Sequence, residues 1–301
     1  MKKFFLILVM LVVILLVVII LSSRRGLRSD DTNKLKITAS FYPLYFFVQQ
    51  VGGDKVSVKN FTPVGVEPHD YEPTARDMAS IDDSKIVFLN GGGLESWSKN
   101  LKFELMESGP KVVTLGDGLI ISQDPHIWLS PRLAIVMVTR IGNVLAEVDP
   151  ANKSFYDDNT TKLLGQLNSL DAKYAAELAN CKQQDIITSH AAFGYMAKDY
   201  HLTQVAIAGL SPDSEPSSKQ LIEISKFASK NNIKYIFFES LVSPKLSDTI
   251  AEEVGAKTLV LNPIEGITAE EMAKGENYLT KMISNLNNLE IALQCNNQTV
   301  Q

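Results

Sequence analysis

The chain holds four histidines, and three of them sit where chemistry is expected rather than packing. His69 lies within GVEPHDYEPT, His126 within QDPHIWLSP, and His190 closes the stretch DIITSH. Each belongs to a loop that follows, or could follow, a short apolar run, and strand ends of that kind are where open α/β sheets bind ligands. A single imidazole in such a loop is more often a structural residue. Three from separate loops suit one divalent transition ion, because imidazole nitrogen is a borderline ligand favoured by Zn2+ and its neighbours. The expectation is that the three loops converge on one metal. His201, in DYHLTQ, follows a helix and reads as a surface residue.

Those loops need strands and helices to hold them. Residues 35–39 alternate as a strand does, and residues 43–51 read as a helix stopped by Gly52 and Gly53. A second strand over 56–61 leads into the His69 loop, which Pro68 and Pro73 keep extended. A helix over 74–81, a strand over 85–89, a helix over 95–106 and a strand over 112–115 continue the rhythm. After His126 a helix is expected from Pro131, since proline suits a first turn. From residue 149 to about 179, Leu163, Leu167, Leu170, Tyr174 and Leu178 recur at steps of three and four, the pattern of a long amphipathic helix. Gly165 weakens that helix by about 1 kcal/mol relative to alanine, so it is expected to lean on both flanking lobes. Apolar runs at 186–188, 204–207, 235–238 and 258–261 then alternate with helical stretches at 221–229, 244–253 and 278–293. The expected fold is α/β: two lobes with parallel sheets flanked by helices, over 35–148 and 182–301, bridged by one long α-helix within 149–181.

Length agrees with two lobes, since 301 residues exceed what one core usually supports. Composition is that of an ordinary globular chain except at residues 4–21, an unbroken apolar run between Lys2, Lys3 and Arg24, Arg25. It is long enough to cross most of a bilayer's hydrocarbon core and longer than a usual signal-peptide core, which favours a retained anchor over a cleaved signal. Residues 26–34 read as a polar tether. Basic residues on both flanks leave the positive-inside rule undecided, but either reading places the bulk of the chain outside the cytoplasm. Residues 1–25 hold four of the 29 Lys and Arg and no acid, so the remainder carries a net charge of −9, which argues against nucleic acid as a partner. Two cysteines, Cys181 and Cys295, are too few and too far apart for a thiolate metal site. In an oxidising compartment they either pair and close a large loop or remain separate thiols.

Other signals carry less. Gly91, Gly92 and Gly93 read as a turn, because neither a P-loop nor a dinucleotide fingerprint surrounds them. GLSPD misses the nucleophile elbow at its last position, which sets serine hydrolysis aside. Trp128, close to His126, reads as packing. Glu239, near the end of YIFFES, has two readings: an acceptor that orients a ligating histidine, or a carboxylate that stabilises its lobe.

PHDYEPT around His69, DPHIWLSP around His126, SHAAFGYMAKDY from Ser189 and AGLSPDSEPSSKQL from Ala208 resemble, in this order, the zinc and manganese substrate-binding proteins of ATP-driven (ABC) importers. The resemblance extends over about residues 35–293. It implies two α/β lobes bridged by a helix, a metal in the cleft between them, and ligands His69, His126 and His190. It also implies an acidic fourth ligand in the loop LVLNPIEG, which is assigned to Glu265. Manganese members tend to carry a carboxylate at the position of His190, so nitrogen-rich coordination favours Zn2+ over Mn2+ as the transported ion. Two features depart from the pattern: the approach to His126 lacks a histidine-rich loop, and no cysteine near residue 25 offers a lipid anchor.

The leading expectation is therefore a monomeric binding protein at the outer face of the plasma membrane or in the periplasm, anchored or secreted. It would pass Zn2+ to a membrane permease driven by a cytoplasmic ATPase. Four protein ligands close the shell, whereas hydrolytic zinc needs an open position for water, so no enzymatic activity is expected. The rival readings are a zinc hydrolase with Glu265 as general base, a manganese carrier, and a surface adhesin in which the metal is structural.

Overall fold

The computed structural model describes residues 34–99, 101 and 109–295. The apolar run at 4–21 and nearly all of the tether lie outside the described residues, as does half of the helix expected over 95–106, whose described start holds a 3-10 turn, Ser96–Ser98. Among the described residues no helix is long and apolar enough to cross a membrane.

The first sheet is built from β1 (Leu35–Ala39), β2 (Val56–Asn60), β3 (Ile86–Leu89) and β4 (Lys111–Thr114). All pairs are parallel and the order is β2-β1-β3-β4. Helix α1 (Tyr42–Gly52) connects β1 to β2 and ends on Gly53, whose φ of 53° lies in the left-handed region open to glycine. Short α2 (Ala75–Ala79) opens with a capping box between Thr74 and Asp77. Every residue of β3 is buried, as its unbroken apolar sequence IVFL demands of a strand covered on both faces.

Helix α3 (Pro131–Val148) begins as expected, with Pro131 in its first turn and Ser130 Oγ accepting from the Leu133 amide. A 3-10 turn at Pro150–Asn152 then leads into α4 (Lys153–Glu177), 25 residues and so about 37 Å long. Its buried residues Tyr156, Leu163, Leu167, Leu170 and Tyr174 form one stripe, and Gly165 lies on the open side, with nothing within 4 Å of where a Cβ would stand.

The second sheet repeats the topology of the first. It comprises β5 (Asp185–Thr188), β6 (Thr203–Ala206), β7 (Tyr235–Phe238) and β8 (Lys257–Val260), parallel throughout, in the order β6-β5-β7-β8. Its helices are α5 (Gly194–Asp199), α6 (Ser218–Lys230), α7 (Lys245–Val254), α8 (Ala269–Ala273) and α9 (Tyr278–Leu293). The fold is thus two parallel α/β sheets flanked by helices, with one long helix between them. In each sheet the chain reverses its direction of travel around the first strand, which puts a ligand crevice at the carboxyl ends of the strands.

One apolar core runs through both halves. It joins Ile37 and Phe88 of the first sheet, Leu163, Leu167 and Tyr174 of α4, and Ile186 and Phe237 of the second sheet. Alternate strand residues face away from it: Val87 and Leu89 join Phe61 and Tyr71, while Ile187 and Ile236 join Ile224 and Ile250. Tyr174 Oη donates to the Met282 carbonyl at 2.6 Å, fixing α4 to α9. The two cysteines form a disulfide, Cys181–Cys295, so the pairing left open by the sequence is settled: the ends of α4 and α9 are joined.

Candidate metal site

Four loops, each leaving the carboxyl end of a strand, deliver one side chain apiece to the crevice between the sheets. His69 follows β2 and His126 follows β4; His190 lies two residues beyond β5, and Glu265 follows β8. His126, His190 and Glu265 are buried, while the His69 side chain keeps 10% exposure and so marks the open side.

Local chemistry fixes each loop. The His69 and His126 loops share one device, acid–proline–histidine: the His69 amide donates to Glu67 Oε2 at 2.8 Å and the His126 amide to Asp124 Oδ1 at 3.0 Å. The short Asp124 side chain, accepting a main-chain N–H two residues on, mimics a backbone turn, and Glu67 makes the corresponding contact with a side chain one methylene longer. The same Asp124 Oδ1 lies 2.7 Å from His126 Nδ1. Beyond His69, Tyr71 packs edge-on against Phe61, which closes the loop back onto β2. Asn90 Nδ2 donates to the Pro125 carbonyl at 2.8 Å, and a Cβ on Gly92 would meet Pro125 Cα at 3.2 Å, a close approach that accounts for the glycine at this position. The triple glycine is a turn, with φ of 89°, 69° and 85° at Gly91, Gly92 and Gly93.

The His190 carbonyl accepts from Thr188 Oγ1 at 2.8 Å and Gln204 Nε2 at 3.0 Å. Its Nδ1 lies 2.7 Å from Glu239 Oε1, so Glu239, just past β7, takes the orienting place. The Glu265 loop contains Ile264 at φ 58°, an uncommon conformation for a β-branched residue, which persists only where its surroundings impose it. Here Asn262 Oδ1 accepts from the Ile264 amide at 2.7 Å, Asn285 of α9 bonds both main-chain groups of Asn262, and Trp128 Nε1 donates to the Pro263 carbonyl at 2.7 Å. Trp128 is therefore more than packing: it ties the His126 loop to the Glu265 loop.

The four residues read from the sequence come together. His126 Nε2 lies 3.3 Å from His69 Nε2, 3.2 Å from His190 Nε2 and 3.2 Å from Glu265 Oε1. Glu265 Oε1 is 3.3 Å from both His69 Nε2 and His190 Nε2. Five of the six separations are thus 3.2–3.3 Å, and all four atoms lie within 4.8 Å of one another; ligand atoms about 2.0 Å from a shared ion in a tetrahedral shell, the length of a Zn–N or Zn–O bond, stand about 3.3 Å apart. With Nδ1 of His126 and of His190 each turned to a carboxylate, the Nε2 lone pairs face that centre. Three imidazole nitrogens and a carboxylate oxygen aimed at one point fit a small divalent cation. His201, by contrast, is exposed.

Electrostatics prepares the site for a cation. Burial disfavours a charged Glu265, but His190, His126 and His69 outweigh it and hold its carboxyl well below the usual range. Burial likewise opposes a charged His190, yet Glu265 and Glu239 push it up to about 10. His126 is raised by Asp124 and Glu265 against the same burial. Glu67, half-buried and facing Glu265, is pushed up to about 9 by its partial burial and by that second carboxylate. Sequence reasoning missed Asp124 and Glu67, although the repeated acid–proline–histidine was the signal for both.

A two-lobe α/β protein with a closed nitrogen-rich metal cleft belongs to a class known from solved structures. The chain belongs to the ZnuA family, described as zinc-uptake complex component A, periplasmic, whose family model matches residues 37–292. The high-affinity zinc uptake system protein ZnuA of Bacillus subtilis is 37% identical over 291 residues, covering 90% of this chain and 91% of that protein. The zinc-binding lipoprotein AdcA of Streptococcus pneumoniae is 39% identical over 277 residues; the match covers 85% of this chain but 55% of the relative, so the chain spans about half the length of that protein. The crystal structure of the Zn(II)-bound ZnuA-like domain of the same AdcA superposes with a TM-score of 0.78 at 40% identity, covering 86% of this chain and 99% of that one. The chain is accordingly a metal-binding protein and not an enzyme.

Proposed function

We propose that the chain captures Zn2+ outside the cytoplasm with His69, His126, His190 and Glu265 and delivers it to an ABC permease powered by a cytoplasmic ATPase. The observation that carries this reading is the convergence of three imidazole nitrogens and one carboxylate oxygen, five of their six separations being 3.2–3.3 Å and all four atoms lying within 4.8 Å of one another. Three nitrogens and one oxygen at that spacing suit Zn2+ better than Mn2+, which prefers more oxygen donors in an octahedral shell. A shell already closed by four protein atoms leaves no position for an attacking water, so it serves capture rather than hydrolysis. The family's zinc-uptake role and the zinc-bound relatives support the same cargo.

The test is competitive binding of Zn2+ and Mn2+ to the wild type, Glu265→Ala and His190→Ala. One tight zinc site weakened by both substitutions is the expected result; comparable or tighter manganese binding overturns the choice of cargo. Delivery is tested in cells: at matched expression, equal zinc uptake with His190→Ala and wild-type protein counts against it.

A further inference from the structure

We propose that Tyr195 is a positioning residue for the metal: from the second half of the molecule its hydroxyl staples the turn at residues 121–124 that aims Asp124 at His126. The inference rests on the zinc reading of the site and names a determinant of affinity that touches no ligand atom.

The hydroxyl bridges both ends of the turn. It accepts from the Ile121 amide at 2.8 Å and donates to the Asp124 carbonyl at 2.8 Å. Between these ends lie Ser122 at φ 54° and Gln123 at φ 62°, two consecutive non-glycine residues in the left-handed region. Such residues hold their conformation only where the surroundings impose it. Ile121 and its two followers are exposed, so little packing helps, whereas Tyr195 is buried at the start of α5. The turn presents the carboxylate whose Oδ1 meets His126 Nδ1 at 2.7 Å.

Gly194, the preceding residue, guards the same carboxylate from the other side. A Cβ there would stand 3.0 Å from Asp124 Oδ2. Gly194 and Tyr195 therefore bound Asp124 at side chain and main chain, four and five residues after His190. The segment that supplies one ligand also sets the orientation of another, and the aim of His126 depends on α5.

The test uses the full chain with Tyr195→Phe, which keeps the buried ring, Gly194→Ala, and Tyr200→Phe as control. Tyr200 Oη donates to Asp171 Oδ1 at 2.9 Å, outside the site. Zn2+ affinity by chelator competition, the visible absorption of the Co2+-substituted protein and the thermal midpoint are measured for each. Loss of an outer partner of a ligating histidine weakens metal binding about 10–100-fold, so Tyr195→Phe and Gly194→Ala should weaken Zn2+ roughly tenfold. Both should also alter the tetrahedral Co2+ bands, whereas Tyr200→Phe lowers only the midpoint. Tyr195→Phe and Gly194→Ala proteins with wild-type affinity and Co2+ spectrum, whatever their midpoints, overturn the proposal; if Tyr195→Phe does not fold, Gly194→Ala alone decides. A wild type that binds no Zn2+ defeats the zinc reading itself, and the proposal falls with it.

Discussion

His190 Nδ1 and Glu239 Oε1 face each other at 2.7 Å, both buried, one just past β5 and the other just past β7. The carboxylate keeps the proton on Nδ1 and so turns Nε2 towards the ligand centre. Glu239→Ala should weaken Zn2+ binding about 10–100-fold by chelator competition, while Glu239→Gln, which retains an acceptor, should recover part of the loss. An unchanged affinity for Glu239→Ala would return this residue to a purely structural role.

Zinc binding should release protons. With His190 raised to about 10, its Nε2 carries a proton at neutral pH in the metal-free protein. Zn2+ needs that lone pair, so metal and proton exclude each other. The sign follows: affinity is weakest at low pH and climbs as pH rises towards about 10, by about tenfold per pH unit for one displaced proton. Glu265, held well below the carboxylate range, is already ionised and adds no proton near neutrality. Calorimetry in buffers of different ionisation enthalpy reads the proton count directly, and a count of zero at pH 7 would contradict this account.

Much of the fold was legible because it is local. The apolar runs became strands within a residue or two, Pro131 and Ser130 started α3, and the three- and four-residue steps from Leu163 to Tyr174 became the buried stripe of α4. The short helices α5 and α8 carried no apolar period long enough to show. The histidines stood out because each of the three lies in a loop that follows a short apolar run. Glu265 was reached only through a resemblance: its placement depends on Asn285 and Trp128, 20 and 137 residues away, and no local spacing reveals such partners. Tyr195 was silent for the same reason, since its hydroxyl acts more than 70 residues away.

The disulfide and the metal should act independently. Cys181 lies before the amino end of β5, whereas His190 lies beyond its carboxyl end, so the bridge and the ligands occupy opposite edges of the sheet. Closing a loop with a sequence separation of 114 contributes about 4–5 kcal/mol in the chain-entropy view, a large share of a typical domain's stability. Reduction, or the double substitution Cys181→Ala with Cys295→Ala, should move the denaturant midpoint strongly downward and leave Zn2+ affinity within a few-fold. A matching collapse of affinity would show that the bridge reaches the site.

Gly165→Ala should stabilise the protein. The position lies inside α4 with nothing within 4 Å of the added methyl, so the substitution brings helix propensity without a clash. The gain is about 1 kcal/mol, read from chemical denaturation. Zn2+ affinity should not change, because no ligand loop touches that face.

Removing the metal should leave the protein folded. The shared core from Ile37 to Leu293 packs without the ion and even anchors the ligand loops through Ile127, Trp128 and Ile264, and the disulfide joins the far ends of α4 and α9, so these persist when the cation leaves. Binding then adds stability by mass action, about 4 kcal/mol when free Zn2+ exceeds its dissociation constant a thousandfold. A thermal midpoint that rises with zinc concentration, over a chelated protein that still shows native circular dichroism and cooperative unfolding, is the expected pattern. A chelated protein that unfolds outright would favour a structural metal, as in an adhesin, over reversible capture. The 10% exposure of His69 makes it the ligand where exchange should begin. His69→Ala should therefore speed zinc dissociation while the buried remainder, His126, His190 and Glu265, still binds the ion more weakly; stopped-flow release into a chelator separates that outcome from complete loss.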